Sequence, residues 1–176
     1  MSVADNLLRG GQSTRALVIG AESFTRLLDW TDRGTCVLFG DGAGAIILDS
    51  YEIEPAAKQF GVLSTHLHSD GRHRDILYVD GGPSMNSKTG HVRMSGKEVF
   101  RHAVSKLGSV INEALVANNL SSNDIDWLVP HQANKRIIES MAKKLNMPMD
   151  KVICSIDRHA NTSAASVPLA LTEGVS

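Results

Sequence analysis

At 176 residues the chain is long enough for one domain with a sizeable core, or for part of a larger one. Its 19 acidic and 18 basic residues nearly cancel, so composition gives no field that would gather nucleic acid or an anionic membrane. No apolar run approaches the roughly 20 residues of a bilayer span, no signal-peptide pattern opens the chain, and two cysteines (Cys36 and Cys154) lie in apolar, strand-like runs. The expectation is a cytoplasmic protein whose cysteines are small buried hydrophobes.

In chain order, "SVADNLLRGG" reads as the last turns of a helix, with Gly10 or Gly11 as its left-handed cap. "RALVIGAES" and "GTCVLFGDGAGAIILDS" read as buried strands, and "FGVLSTHLHSDG" as a strand running into a polar loop. From Glu98 to Leu120, Phe100, Ala103, Val104, Leu107, Ile111, Ala114 and Leu115 repeat with helical period. A strand at 126–130, a helix at 134–146 stopped by Asn146 and Pro148, a strand at 151–157 and a helix from about Thr162 complete the order. Strands alternating with helices predict a layered α/β fold with a mixed, mostly parallel sheet. The opening inside a helix and the close just after one read as those of a partial chain.

Two motifs carry weak signals. "GDGAGA" (40–45) invites a phosphate-binding reading, but its third glycine is missing and "IILDS" continues as strand, which favours a glycine-rich bend. His66, His68, Asp70 and His73 could ligate a metal, yet nothing completes the set, and a plain polar loop is the simpler reading.

A third pattern is stronger. "DWLVPHQANKRI" ends an apolar run at Pro130, sets His131 at once after it, and begins a helix within a few residues. "VICSIDRHANTSAAS" repeats the arrangement with Asn161 in the turn. Singly, Asn161 also fits a helix N-cap, and His131 a satisfied turn histidine. Two such placements in consecutive strand–helix units put both side chains at the carboxyl ends of neighbouring strands, where open α/β sheets hold their crevice.

These two blocks and "TDRGTCVLFGDGAGAIIL" closely resemble beta-ketoacyl-acyl carrier protein synthase III, over essentially the whole chain. The resemblance implies a thiolase-like fold of two similar halves, with residues 1–50 a remnant of the first and 51–176 most of the second. It implies a homodimer using a Cys–His–Asn set, in which His131 and Asn161 match the last two members. The nucleophilic cysteine falls before Met1, and neither Cys36 nor Cys154 fits it. The implied reaction is decarboxylative condensation of acetyl-CoA with malonyl-acyl carrier protein, with a CoA thioester as substrate and no cofactor or metal. By position, Arg33 matches the residue that stacks on the CoA adenine. Met94, Gly96 and Phe100 match the acyl and pantetheine channel, and Asn134 a pantetheine hydrogen bond. Lys97 and Arg136 match the channel mouth where the carrier protein docks. Ala160 departs from the glycine common in the family, which bears on the local turn. A second expectation for these 176 residues is a non-catalytic module that binds carrier protein or assists assembly.

Overall fold

The computed structural model describes residues 1–54 and 60–175. It begins with α1 (Ser2–Arg9), whose end shows how this sequence stops its helices. Gly11 takes φ +68°, and the N–H groups of Gly11 and Gln12 return to the carbonyls of Leu8 and Leu7 at 3.0 Å each. That left-handed cap satisfies carbonyls that a helix end otherwise leaves without partners. The same device ends α2 (Gly96–Ala117) at Asn119, φ 53°, and α3 (Lys135–Lys144) at Asn146, φ 52°. Asparagine tolerates this conformation best among residues with a Cβ.

Strands β1 (Arg15–Glu22) and β2 (Gly42–Asp49) form an antiparallel pair in which Val18 faces Ile46 and Gly20 faces Gly44. One face packs on the short 3₁₀ turn Ser163–Ala165 and on α5 (Ser166–Val175). A Cβ added at Gly20 would sit 2.3 Å from the Ala164 carbonyl oxygen, and one at Gly44 would sit 2.9 Å from Pro168 Cβ. The glycines of "GDGAGA" therefore let strand backbone lie flush on this layer. Asp41 accepts from the N–H (2.8 Å) and hydroxyl (2.6 Å) of Thr25. The motif serves close approach; the bend between two strands that its sequence favoured is instead a strand that starts at Gly42 after a turn. The other face carries Leu17, Ile19 and Ile47, each more than 60% exposed.

Strands β3 (Leu77–Val79) and β4 (Val92–Met94) form a second antiparallel pair that leads into α2. Beneath α2 and α3 lies the main core of Ile138, Ala142, Leu145, Met147 and Val152, with Ile111, Leu115 and Leu128 packed around it. Ile138 is fully buried, a placement worth about 1.5–3 kcal/mol over exposure.

Several expected strands are shorter than the apolar runs suggested. Residues 33–38 form turns, so Cys36 sits in a turn, and the strand proper starts at Gly42. The runs at 126–130 and 151–157 meet only in the parallel bridge Leu128–Val152, and the latter turns into α4 (Ile156–His159). A second parallel bridge joins Phe39 to Asn161. Residues 60–70 form no strand: their polar groups go to helices instead, His66 (2.9 Å) and His68 (2.7 Å) to Glu113 of α2 and Thr65 (3.0 Å) to Ser2 of α1. The His73 and His102 rings meet at a tilt of 36°, with centroids 3.9 Å apart. Cys36 and Cys154 are free thiols.

Candidate active site

His131 follows Pro130, which has no N–H to continue a ladder. The side chain of Gln132 continues it instead. Its Nε2 donates to the carbonyls of Pro130 (2.9 Å) and Ile153 (3.2 Å), and its Oε1 accepts from the Ser155 N–H (2.8 Å). Gln132 is fully buried, so these bonds meet no competition from water. The amide thereby ties the His131 turn to the segment that leads toward Asn161. His131 is exposed at the rim, while its Nδ1 edge lies against Ser166 Oγ at 2.5 Å. Loss of water around the ring holds its pKa below the ordinary histidine value, so the imidazole is neutral at pH 7.

The Asn161 turn is built from backbone. The Asn161 N–H donates to the Leu38 carbonyl (2.9 Å), and the Gly40 N–H donates to the Asn161 carbonyl (3.0 Å). Phe39, between them, is held by stacking on Phe24 with ring centroids 4.4 Å apart. Asn161 is 8% exposed, and its Oδ1 accepts from the Ser163 N–H at 2.9 Å. A backbone N–H can face only the amide oxygen, which fixes Nδ2 as the free, donating end. The capping reading and the site reading of Asn161 are thus compatible, one at each end of the amide. Ala160 reaches this turn at φ 57°, ψ −162°, a region that suits glycine.

The remaining candidates fall into two groups. Met94 ends β4, Gly96 begins α2 with Met94 Cε 3.8 Å from where a Cβ would stand, and Phe100 follows one turn later. The Arg136 guanidinium lies 5.2 Å from the Phe100 ring centroid, so α2 and α3 meet at a cation–π contact. Asn134 caps α3 by accepting from the Arg136 N–H at 2.9 Å, and Lys97 is exposed in the first turn of α2. Arg33 stands apart, exposed on a turn in which the Asp32 carbonyl accepts from the N–H groups of Thr35 and Cys36. That loop is anchored by Arg93, which bonds Asp29 (3.0 Å) and Asp80 (2.5 Å). Asp29 titrates at about 2, lowered first by the Thr31 hydroxyl and then by Arg93. Arg93 therefore ties the Arg33 loop to β4, the strand that also carries Met94.

Known proteins resemble this chain in sequence and in fold. The family model for 3-oxoacyl-[acyl-carrier-protein] synthase III matches residues 1–71, and the model for the C-terminal part of the same enzyme matches residues 115–176. The chain belongs to the 3-oxoacyl-[acyl-carrier-protein] synthase III family. The beta-ketoacyl-[acyl-carrier-protein] synthase III of Paramagnetospirillum magneticum is 63% identical over 99% of this chain and 54% of its own length. That of Rhodospirillum centenum is 62% identical with the same coverage. The crystal structure of 3-oxoacyl-[acyl-carrier-protein] synthase III from Aquifex aeolicus superposes with a TM-score of 0.88 at 39% identity, covering 98% of this chain and 52% of that one. The chain spans about half the length of the curated relatives it matches, and the layered, thiolase-like α/β fold of the synthase III family is its fold.

Sequence reasoning singled out His131 and Asn161 but passed over Gln132, Ser166 and Arg93, which hold the turns and the Arg33 loop. Gln132 had a legible signal. A proline at a strand end removes a ladder donor, and a long amide two residues on can supply both donor and acceptor. Ser166 and Arg93 act across 35 and 64 residues of sequence, and no local pattern marks them.

Proposed function

We propose that this chain supplies the His–Asn donor pair of a condensing enzyme that starts fatty acid synthesis, joining acetyl-CoA to malonyl-acyl carrier protein. The observation that carries the reading is the fixed amide of Asn161: its oxygen is engaged by Ser163, which leaves Nδ2 as the donor, and Ser166 of the same segment bonds the neutral imidazole of His131. In the reaction, a cysteine thiolate displaces CoA from acetyl-CoA and becomes acylated. The malonyl thioester then loses carbon dioxide, and the electron pair of the broken C–C bond moves into its carbonyl as an enolate. His131 and Asn161 donate to that oxygen as its charge grows, the moment at which a fixed donor is worth most. The enolate carbon attacks the acyl carbonyl and expels the thiolate, which leaves 3-oxoacyl-carrier protein.

The acyl chain and the pantetheine arm run past Met94, Gly96 and Phe100, with Asn134 bonding the arm through its free Nδ2. Arg33 stacks on the CoA adenine, and Lys97 and Arg136 receive the acidic carrier protein. The intact enzyme works as a cytoplasmic homodimer without a cofactor. Residues 1–50 and 51–176 derive from its two halves; the packing of β2 on α5 then joins one half to the other. Cys36 lies in a turn and Cys154 packs against the core, which supports a nucleophile supplied by residues outside these 176.

That placement also favours a second reading for these residues by themselves, carrier-protein binding without condensation. The 176-residue chain is expected to yield no condensation product; product above the level of a His131→Ala control overturns the division of labour. In a full-length family enzyme with the same residues, His131→Ala and Asn161→Ala should each lower malonyl decarboxylation by about 10²–10³-fold and spare acetyl transfer. Equal loss of both half-reactions would assign His131 to thiol activation instead.

A further inference from the structure

We propose that Ser166 is a positioning residue that locks His131 in the tautomer with its proton on Nε2, so that the ring meets substrate as a donor and not as a base. The inference rests on the donor role given to His131 above and specifies what enforces it.

Ser166 Oγ lies 3.2 Å from the Gln132 N–H and 2.5 Å from His131 Nδ1. A backbone N–H can only donate, so the hydroxyl oxygen accepts from Gln132. The hydroxyl still has one proton to place. Ser166 is 1% exposed, which excludes bulk water, and His131 Nδ1 is the acceptor within reach. If Nδ1 instead carried the proton and donated to Oγ, the serine hydroxyl would be a buried donor without a partner, which folded proteins rarely leave. With Nδ1 occupied as an acceptor, the single proton of a neutral imidazole stands on Nε2.

The serine is itself held. It is the first residue of α5, so its Cβ direction is set by the helix. Gln132 presents its N–H from a backbone pinned by three side-chain hydrogen bonds. The chain of constraint runs from the Gln132 amide to its backbone N–H, then to Ser166 Oγ and His131 Nδ1. An Nε2–H ring cannot take a proton through Nε2. The cysteine thiol is therefore deprotonated without help from His131, and the imidazole is reserved for the developing oxyanion.

The test reads ring nitrogens directly. The 176-residue chain is labelled with ¹⁵N-histidine and studied by long-range ¹H–¹⁵N NMR at neutral pH, with His131 assigned by its loss in His131→Asn. Nδ1 should show the shift of an unprotonated ring nitrogen and Nε2 that of a protonated one. Ser166→Ala should move both shifts toward the averaged values of a tautomer mixture, and Ser166→Cys, a weaker donor of similar size, should move them part of the way. A wild-type ring protonated on Nδ1 overturns the proposal even if no variant folds. So do shifts that are unchanged in a folded Ser166→Ala chain. The fate of the functional reading is separate: an Nε2–H ring whose removal leaves decarboxylation intact in a full-length relative would refute the oxyanion role and leave the tautomer lock standing.

Discussion

The His131 turn and the Asn161 turn do the same geometrical task by different means. The first is held by side chains: one buried amide makes three hydrogen bonds, and one buried hydroxyl makes two. The second is held by backbone, through a parallel bridge to Phe39 and flush packing against strand glycines, and it accepts positive φ at Ala160 and Ser163. A turn fixed by side-chain hydrogen bonds fails when a partner is lost. A turn fixed by close approach fails when an atom is added.

The largest effect should come from breaking the first kind. Gln132→Ala removes partners from the Ser155 N–H and from the Pro130 and Ile153 carbonyls at a fully buried position. Each of these groups left without a partner costs about 1–3 kcal/mol, so a total loss of about 3 kcal/mol or more is expected. Urea unfolding followed by circular dichroism measures it. A loss below about 1 kcal/mol would mean that water enters and replaces the amide, and that the His131 turn is not held as described.

How far these two turns could be read in the sequence follows from the same distinction. His131 was legible because it follows an apolar run at once, and Asn161 because it sits in the short polar turn between an apolar run and a helix. The caps were legible too, since Gly11 and Asn146 are residue types suited to left-handed conformations. The short parallel segments were not. "LVP" and "VICSI" look like full strands because burial, not ladder length, sets their composition. Pro130 followed by Gln132 hinted at an amide that completes the ladder, while the partners of that amide, Ile153 and Ser155, lie on a distant segment that no local pattern marks. The apolar run through Cys36 misled for a different reason: its apolar residues lie in a turn without a strand's burial, with Val37 exposed and Cys36 half-buried. Arg93 was illegible, since its two carboxylate partners lie 64 and 13 residues away.

Breaking the second kind of turn takes one methyl group. Gly20→Ala would place a Cβ 2.3 Å from the Ala164 carbonyl oxygen and 2.6 Å from its carbon. Both are backbone atoms, so no side-chain rotation relieves the contact, and β1 must lift from the 3₁₀ turn that follows Asn161. Overpacking of this kind costs about 1–3 kcal/mol. A second readout separates the two turns. In a full-length relative with the same packing, the variant should impair decarboxylation through Asn161, while the His131 ring nitrogens in this chain keep their wild-type shifts. If those shifts also move, the two turns are one mechanical unit and the contrast between them fails.

The smallest effect is a gain. Ala160 stands at φ 57°, ψ −162°, between the last residue of α4 and Asn161. A Cβ there crowds the neighbouring backbone, and a non-glycine residue in so sparsely populated a region costs about 1–3 kcal/mol. Ala160→Gly removes that strain but frees the unfolded chain, which offsets about 0.4–1 kcal/mol of the benefit. The net expectation is a stabilisation of about 1 kcal/mol, seen as a higher urea midpoint at an unchanged m-value. Since Asn161 is anchored on both sides, by its bridge to Phe39 and by the Ser163 N–H on Oδ1, its amide should keep its orientation in the variant. A variant less stable than wild type would show that the methyl group's packing outweighs the strain. The close-approach turn would then depend on side-chain contact after all, as the His131 turn depends on Gln132.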